Sequence, residues 1–172
     1  MKIEIGETLV YPHHGAVTIT ALATRTIKGV EKQFMTLNVH TSALTIQLPV
    51  DNVELVGVRD VIDAAGVSAV YEILQNAFTE EPGNWSRRYK ANQEKMASGS
   101  VYRVSEVVRD LWRRDQDKGV SAGEKRMLEK ARQILVSELA LAQGLTDQEA
   151  GDLLLIEIQN YVVSDEPAEV AV

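Results

Sequence analysis

The sequence predicts an α+β protein, with a small five-stranded β domain at the N-terminal side and an all-α helical bundle after it. Three observations predict this. The apolar period changes from two to about 3.6 near residue 57, turn formers break up the first part, and capping boxes open helices in the second.

In the first part, Val17-Thr18-Ile19-Thr20-Ala21, Phe34-Met35-Thr36-Leu37-Asn38-Val39 and Leu44-Thr45-Ile46-Gln47-Leu48 alternate apolar and polar residues. Every second residue, Ala21 included, then falls on one face of a half-buried strand. Pro12 and Gly15 flank one break, and Lys28-Gly29 sits where a hairpin turn is needed. About five short strands in so few residues imply a strongly bent sheet or barrel. Its free edge could accept a strand from another protein, which makes the domain a docking module.

The second part opens with helices expected over Val67 to Ala77 and Trp85 to Met96. Val101, Val104, Val107, Val108, Leu111 and Trp112 then recur at steps of three and four, while Arg103, Arg109, Arg113 and Arg114 lie mostly off that stripe. Gly119 ends this helix. Ser121-Ala122-Gly123-Glu124 is a capping box leading into Met127, Leu128, Ala131, Ile134 and Leu135. Thr146-Asp147-Gln148-Glu149 is a second box, followed by Leu153, Leu154, Ile158, Tyr161 and Val162. The expected division is a β domain over 1–56, a linker over 57–65, a helical domain over 66–163 and an acidic, disordered tail over 164–172.

Composition narrows the function. The 172 residues are 45% hydrophobic and include no cysteine, so disulfides and thiolate sites are excluded and a reducing cytoplasm is compatible. No apolar run approaches a membrane span and the start lacks a signal-peptide core, so a soluble, unprocessed cytoplasmic protein is expected. The net charge of −7 conceals a basic segment. Residues 84–132 hold thirteen Lys or Arg against seven Asp or Glu, whereas residues 133–172 hold eight acids and no base.

That segment begins Asn84-Trp85-Ser86-Arg87-Arg88-Tyr89-Lys90. Arginine and lysine neutralise phosphates at any base sequence, and an indole can stack on a base or wedge into a disturbed step. Asn84 is a good N-cap, which puts Trp85 in the first turn, where free amides also favour a phosphate. The competing reading is a packing tryptophan beside a solvated basic face. Trp112, on the apolar stripe, is assigned to the core.

Catalytic patterns are weak. His13-His14 point to opposite faces of an extended segment and lack further ligands, so no metal or cofactor is expected. Glu80-Glu81 show no acid–base spacing, His40 is isolated, and no phosphate loop or nucleophile elbow occurs. The pattern points away from an enzyme.

Longer blocks carry a resemblance. They are Val10-Tyr11-Pro12-His13-His14-Gly15, Thr24-Arg25-Thr26-Ile27-Lys28-Gly29, Val56-Gly57-Val58-Arg59-Asp60, Thr79-Glu80-Glu81-Pro82 with Asn84 to Asn92, and Glu106 to Asp115 running into Ser121 to Leu135. Over about residues 1–143 the chain resembles the CarD family of bacterial RNA polymerase-binding transcription regulators, in its actinobacterial form. The resemblance implies a Tudor-like sheet that docks on the polymerase β subunit, similar to the polymerase-interacting domain of the transcription-repair coupling factor. It implies a helical domain that touches promoter DNA at the upstream edge of the melted bubble, stabilising the open complex without sequence-specific readout. Trp85 would be the wedge at the fork, with Lys90, Arg87 and Arg88 on the backbone, and Arg114 and Lys125 complete the DNA-contacting set. Arg25 and Gln47 would lie at the polymerase contact, Gln47 where many relatives carry arginine, and the protein would act as a monomer. Two other readings are a protein–protein adaptor and a free-standing, non-specific nucleic-acid binder.

Overall fold

The structure, a computed structural model, describes residues 1–76 and 83–160. Ala77, the stretch Thr79 to Pro82 with Glu80-Glu81, Tyr161, Val162 and the expected tail at 164–172 lie outside the described residues.

Strands β1 (Thr8–Tyr11), β2 (Gly15–Ile27), β3 (Val30–Val39), β4 (Thr45–Pro49) and β5 (Arg59–Asp60) form one antiparallel sheet ordered β4-β3-β2-β1-β5. Lys28 and Gly29, at φ 50° and 80°, supply the two left-handed positions of a tight hairpin, and Ile27 pairs with Val30 across it. Alternation along β2 breaks at a register shift between Ile19 and Ala21. The extra residue turns Ala21 outward opposite Thr36, which corrects its expected place on the buried face. A second correction concerns residues 57–65, expected as linker. Arg59 and Asp60 pair with Val10 and Leu9, and a two-residue strand is too short to show a period. His13, at φ 67°, stands in a turn, so the pair His13-His14 is not on extended backbone.

The inner face of the sheet buries Leu9, Val17, Ile19, Met35, Leu37 and Leu48, closed by Val53 on the short helix α1 (Val53–Val56) and by Val58. The outer face is set by register. Residues directly opposite in a ladder share a face, so Arg25 opposite Lys32, and Gln47 opposite Thr36, both point outward with Phe34 between them.

Among the described residues five helices follow: α2 (Ala64–Gln75), α3 (Trp85–Ala97), α4 (Val101–Asp117), α5 (Ala122–Gln143) and α6 (Asp147–Gln159). Asp63 starts α2 three residues earlier than its apolar period indicates, by accepting the Gly66 N–H at 2.9 Å. Both capping boxes close, Ser121 with Glu124 and Thr146 with Glu149. Gly119, at φ 75°, donates its N–H to the Arg114 carbonyl and stops α4. Val70, Leu74, Val107, Leu111, Leu135, Leu139, Leu154 and Ile158 form the bundle core, and half-buried Trp112 packs against it. Truncating one of the buried leucines to alanine costs about 2–5 kcal/mol. No helix among the described residues is long and apolar enough to cross a membrane.

Sheet and bundle meet along α5. Gly15 has φ +78°, and a Cβ there would stand 2.9 Å from Ser137 Oγ and 3.3 Å from the Ile134 backbone, so only glycine lets β2 come this close. The Ala16 N–H donates to Ser137 Oγ at 3.3 Å. Arg59 grips Glu138 with two bonds of 2.6 and 2.8 Å, and its Nε donates to the Gly99 carbonyl.

Candidate nucleic-acid interface

Asn84 caps α3 by accepting the Ser86 and Arg87 N–H groups at 2.9 and 3.4 Å. This corrects the expectation of free amides awaiting a phosphate at this terminus, because two of them already have a partner. Trp85 follows in the first turn and is 49% exposed. Its Nε1 donates to Ser121 Oγ at 3.1 Å, at the start of α5, and its ring stacks on Tyr89 with centroids 5.4 Å apart at 24°. The indole is therefore half presented to solvent and fixed on its other side. An aromatic ring so held gives up little rotamer freedom when it meets a ligand.

The expected basic contacts divide. At 100° per residue, Arg87 and Lys90 lie on the side of α3 away from the Trp85, Arg88, Asn92 and Met96 stripe, and both are exposed. Lys125 is exposed in the first turn of α5, next to Glu124 and one turn beyond Ser121. Arg114 is half-buried and lines a groove of about 790 Å³ with Trp112, Arg113, Lys118 and Ile158, which none of the α3 residues lines. Trp85 and Lys125 thus stand at the starts of α3 and α5, Arg87 and Lys90 are exposed on the opposite side of α3 from Trp85, and Arg114 lines a separate groove.

Arg88 was expected on the DNA backbone, and the structure corrects this. Its side chain is 4% exposed and its Nε donates to Glu124 Oε1 at 2.8 Å. An enclosed guanidinium paired with a buried carboxylate is not offered to a phosphate. Burial pushes the Glu124 carboxyl up, but the Ser121 N–H, the Arg88 bond, the Ser121 hydroxyl and the Arg88 charge together hold it below the usual carboxylate range.

Other cations of the basic segment are occupied as well. Arg109, 4% exposed, bonds Asp110 and the Ile73 carbonyl, and Arg113 donates to the Leu74 and Asn76 carbonyls. These carbonyls close the C-terminus of α2, where helix geometry leaves them without internal donors. Lys95 pairs with Glu106 at 2.9 Å. Much of the positive charge counted along 84–132 is thus committed within the bundle.

The expected polymerase contacts sit on the other unit. Arg25 is exposed on the outer face of the sheet, its guanidinium 5.4 Å from the Phe34 ring centroid. Gln47 is exposed on β4, one of the two edge strands, on that same face. Among the described residues no group of three or more His, Cys, Asp or Glu could hold a metal ion.

Comparison with known proteins matches residues 3–62 to the CarD-like/TRCF RID domain and residues 69–155 to the CarD C-terminal domain. A candidate transcription factor of Bacillus subtilis (strain 168), YdeB, is 32% identical over 146 residues, which span 85% of this chain and 95% of that protein. The solution NMR structure of the 72-residue N-terminal domain of Myxococcus xanthus CarD is 24% identical, over 34% of this chain and 79% of that one, with a TM-score of 0.30.

Proposed function

The chain belongs to the CarD family, and on that premise we propose that it docks on the RNA polymerase β subunit through its sheet and stabilises the promoter open complex through Trp85. Family membership carries the coarser statement, transcription regulation in association with RNA polymerase, and the RID domain is the polymerase-interacting part. This is a transcription-factor family, and binding rather than catalysis is the expected mode of action.

The observation that supports the finer reading is the indole itself. It is half exposed at a helix start and anchored on one side, with Arg87 and Lys90 exposed further round the same helix and Lys125 exposed in the first turn of α5. A ring so placed can stack on or wedge beside an unpaired base, which contributes about 1–3 kcal/mol. That is too little for firm binding to free DNA. Tethering to polymerase raises the effective concentration enough for it to matter.

Differential binding then follows. A tethered protein that meets DNA only when the upstream fork is open shifts the closed-to-open equilibrium toward open, about tenfold for every 1.4 kcal/mol of preference. The phosphate contacts from Arg87, Lys90 and Lys125 are blind to base sequence, so promoter choice comes from how unstable each open complex already is.

Co-purification with the cognate polymerase tests the division of labour. Arg25→Glu reduces capture of polymerase and Trp85→Ala leaves it at the wild-type level. Equal loss in both variants would contradict the assignment, and no capture by the wild-type protein would favour a free-standing nucleic-acid binder.

A further inference from the structure

We propose that Arg88, Glu124 and Ser121 form a polar mount, buried at its Arg88–Glu124 base, that sets the direction of the Trp85 indole, so that Arg88 acts on DNA only through that ring. The proposal rests on reading Trp85 as the fork contact and adds how the contact is aimed.

Two helices grip each other through pairs spaced by three residues. Trp85 and Arg88 lie on one face of α3, and Ser121 and Glu124 span the first turn of α5. Ser121 Oγ accepts from Trp85 Nε1 at 3.1 Å and from the Glu124 N–H at 3.2 Å, and donates to Glu124 Oε2 at 3.0 Å. A hydroxyl has one proton and two lone pairs, so this one is fully used. Glu124 Oε2 also accepts the Ser121 N–H at 3.0 Å, while Oε1 takes Arg88 Nε at 2.8 Å. Glu124 is 1% and Arg88 4% exposed, so the ion pair at the base of the network is shielded from water, while Ser121 and its bond to the indole lie at the partly exposed end.

The chemistry offered to DNA follows from this. The indole has a single polar group, its N–H, and that group is spent on Ser121. The exposed remainder of the ring is apolar and aromatic. It fits the face of an unstacked base and carries no donor with which to distinguish one base edge from another. Lack of sequence readout is then a property of how the ring is held as well as of where it sits.

Charge substitutions give the mount and a direct phosphate contact opposite signs. Full-length variants are compared by the lifetime of open complexes with the cognate polymerase, and by Trp85 emission in a Trp112→Phe background. Ser121→Ala shortens the lifetime about fivefold, the equivalent of one neutral hydrogen bond, and shifts the emission, whereas Ser121→Thr keeps both. Arg88→Lys shortens it although the charge is kept. Glu124→Gln removes an acid beside the basic surface, and still shortens the lifetime.

A longer lifetime for Glu124→Gln, or a wild-type lifetime for Arg88→Lys, overturns the mount and restores Arg88 as a phosphate contact. If circular dichroism shows Glu124→Gln unfolded, the Ser121→Ala and Ser121→Thr pair decides: equal lifetimes in the two overturn the proposal. Failure of the parent reading is distinguishable, because the wild-type protein itself would then not lengthen the lifetime.

Discussion

Replacing Arg59 by methionine isolates the ion pair that ties the sheet to the bundle. Glu138 is 1% exposed and accepts from Arg59 Nη1 at 2.6 Å, Arg59 Nη2 at 2.8 Å and the Ile62 N–H at 3.2 Å. Without Arg59 a buried carboxylate keeps a single backbone donor. Removing one partner of a buried pair costs about 3–5 kcal/mol, and because the Arg59 side chain is 30% exposed the lower end, about 3 kcal/mol, applies. With a urea slope of about 2 kcal/mol/M, the unfolding midpoint falls by about 1.5 M. A second change, Glu138→Leu, removes the stranded charge, and the double variant recovers most of the loss, short of about 1 kcal/mol for the Ile62 N–H. Urea titration followed by circular dichroism reads all three proteins. A midpoint shift below about 0.3 M in Arg59→Met would refute the reasoning, since it would mean that water takes the place of the guanidinium.

Three further outcomes are expected. Gly15→Ala loses about 1–3 kcal/mol in the same titration, because the position has φ +78° and the new Cβ meets the Ile134 backbone; an unchanged midpoint would show that β2 can retreat from α5. The Glu124 carboxyl is held below its ordinary value of 4.5, so the stability it supplies is complete above that pH and is lost as pH falls through its lower folded value. Glu124→Gln accordingly flattens the acid limb of a stability–pH curve below 4.5, and a limb of undiminished slope would argue against it. Binding of the isolated protein to duplex DNA is weak, indifferent to sequence and reduced by salt, so tight binding to one duplex in a filter or anisotropy assay at physiological salt would contradict the account.

Local patterns were the legible part of this fold. The Lys28-Gly29 hairpin, the Ser121 and Thr146 capping boxes and the α4 stripe from Val101 to Leu111 each depend on residues within a few positions of one another, so spacing reveals them. The bulge after Ile19 and the two-residue strand β5 could not be read this way, because each is defined by a partner strand. Charge counting misled for the same reason. Arg88 finds Glu124 36 residues away, Arg109 reaches the Ile73 carbonyl and Arg113 those of Leu74 and Asn76, so a basic segment in sequence became partly a bracing system in space. One signal was available: Arg88 shares a helical stripe with Asn92 and Met96, which marks it as inward. Trp85 was readable as a candidate from the Asn84 cap and its neighbours, but its anchor on Ser121 belongs to tertiary structure.

The lifetime of open complexes formed by the cognate RNA polymerase on a ribosomal RNA promoter tests the central claim most directly. The account predicts that the wild-type protein lengthens it and that Trp85→Ala, while still bound to polymerase, loses roughly fivefold or more of that gain. An equal lifetime with the wild-type and Trp85→Ala proteins, both confirmed on the polymerase, would contradict it.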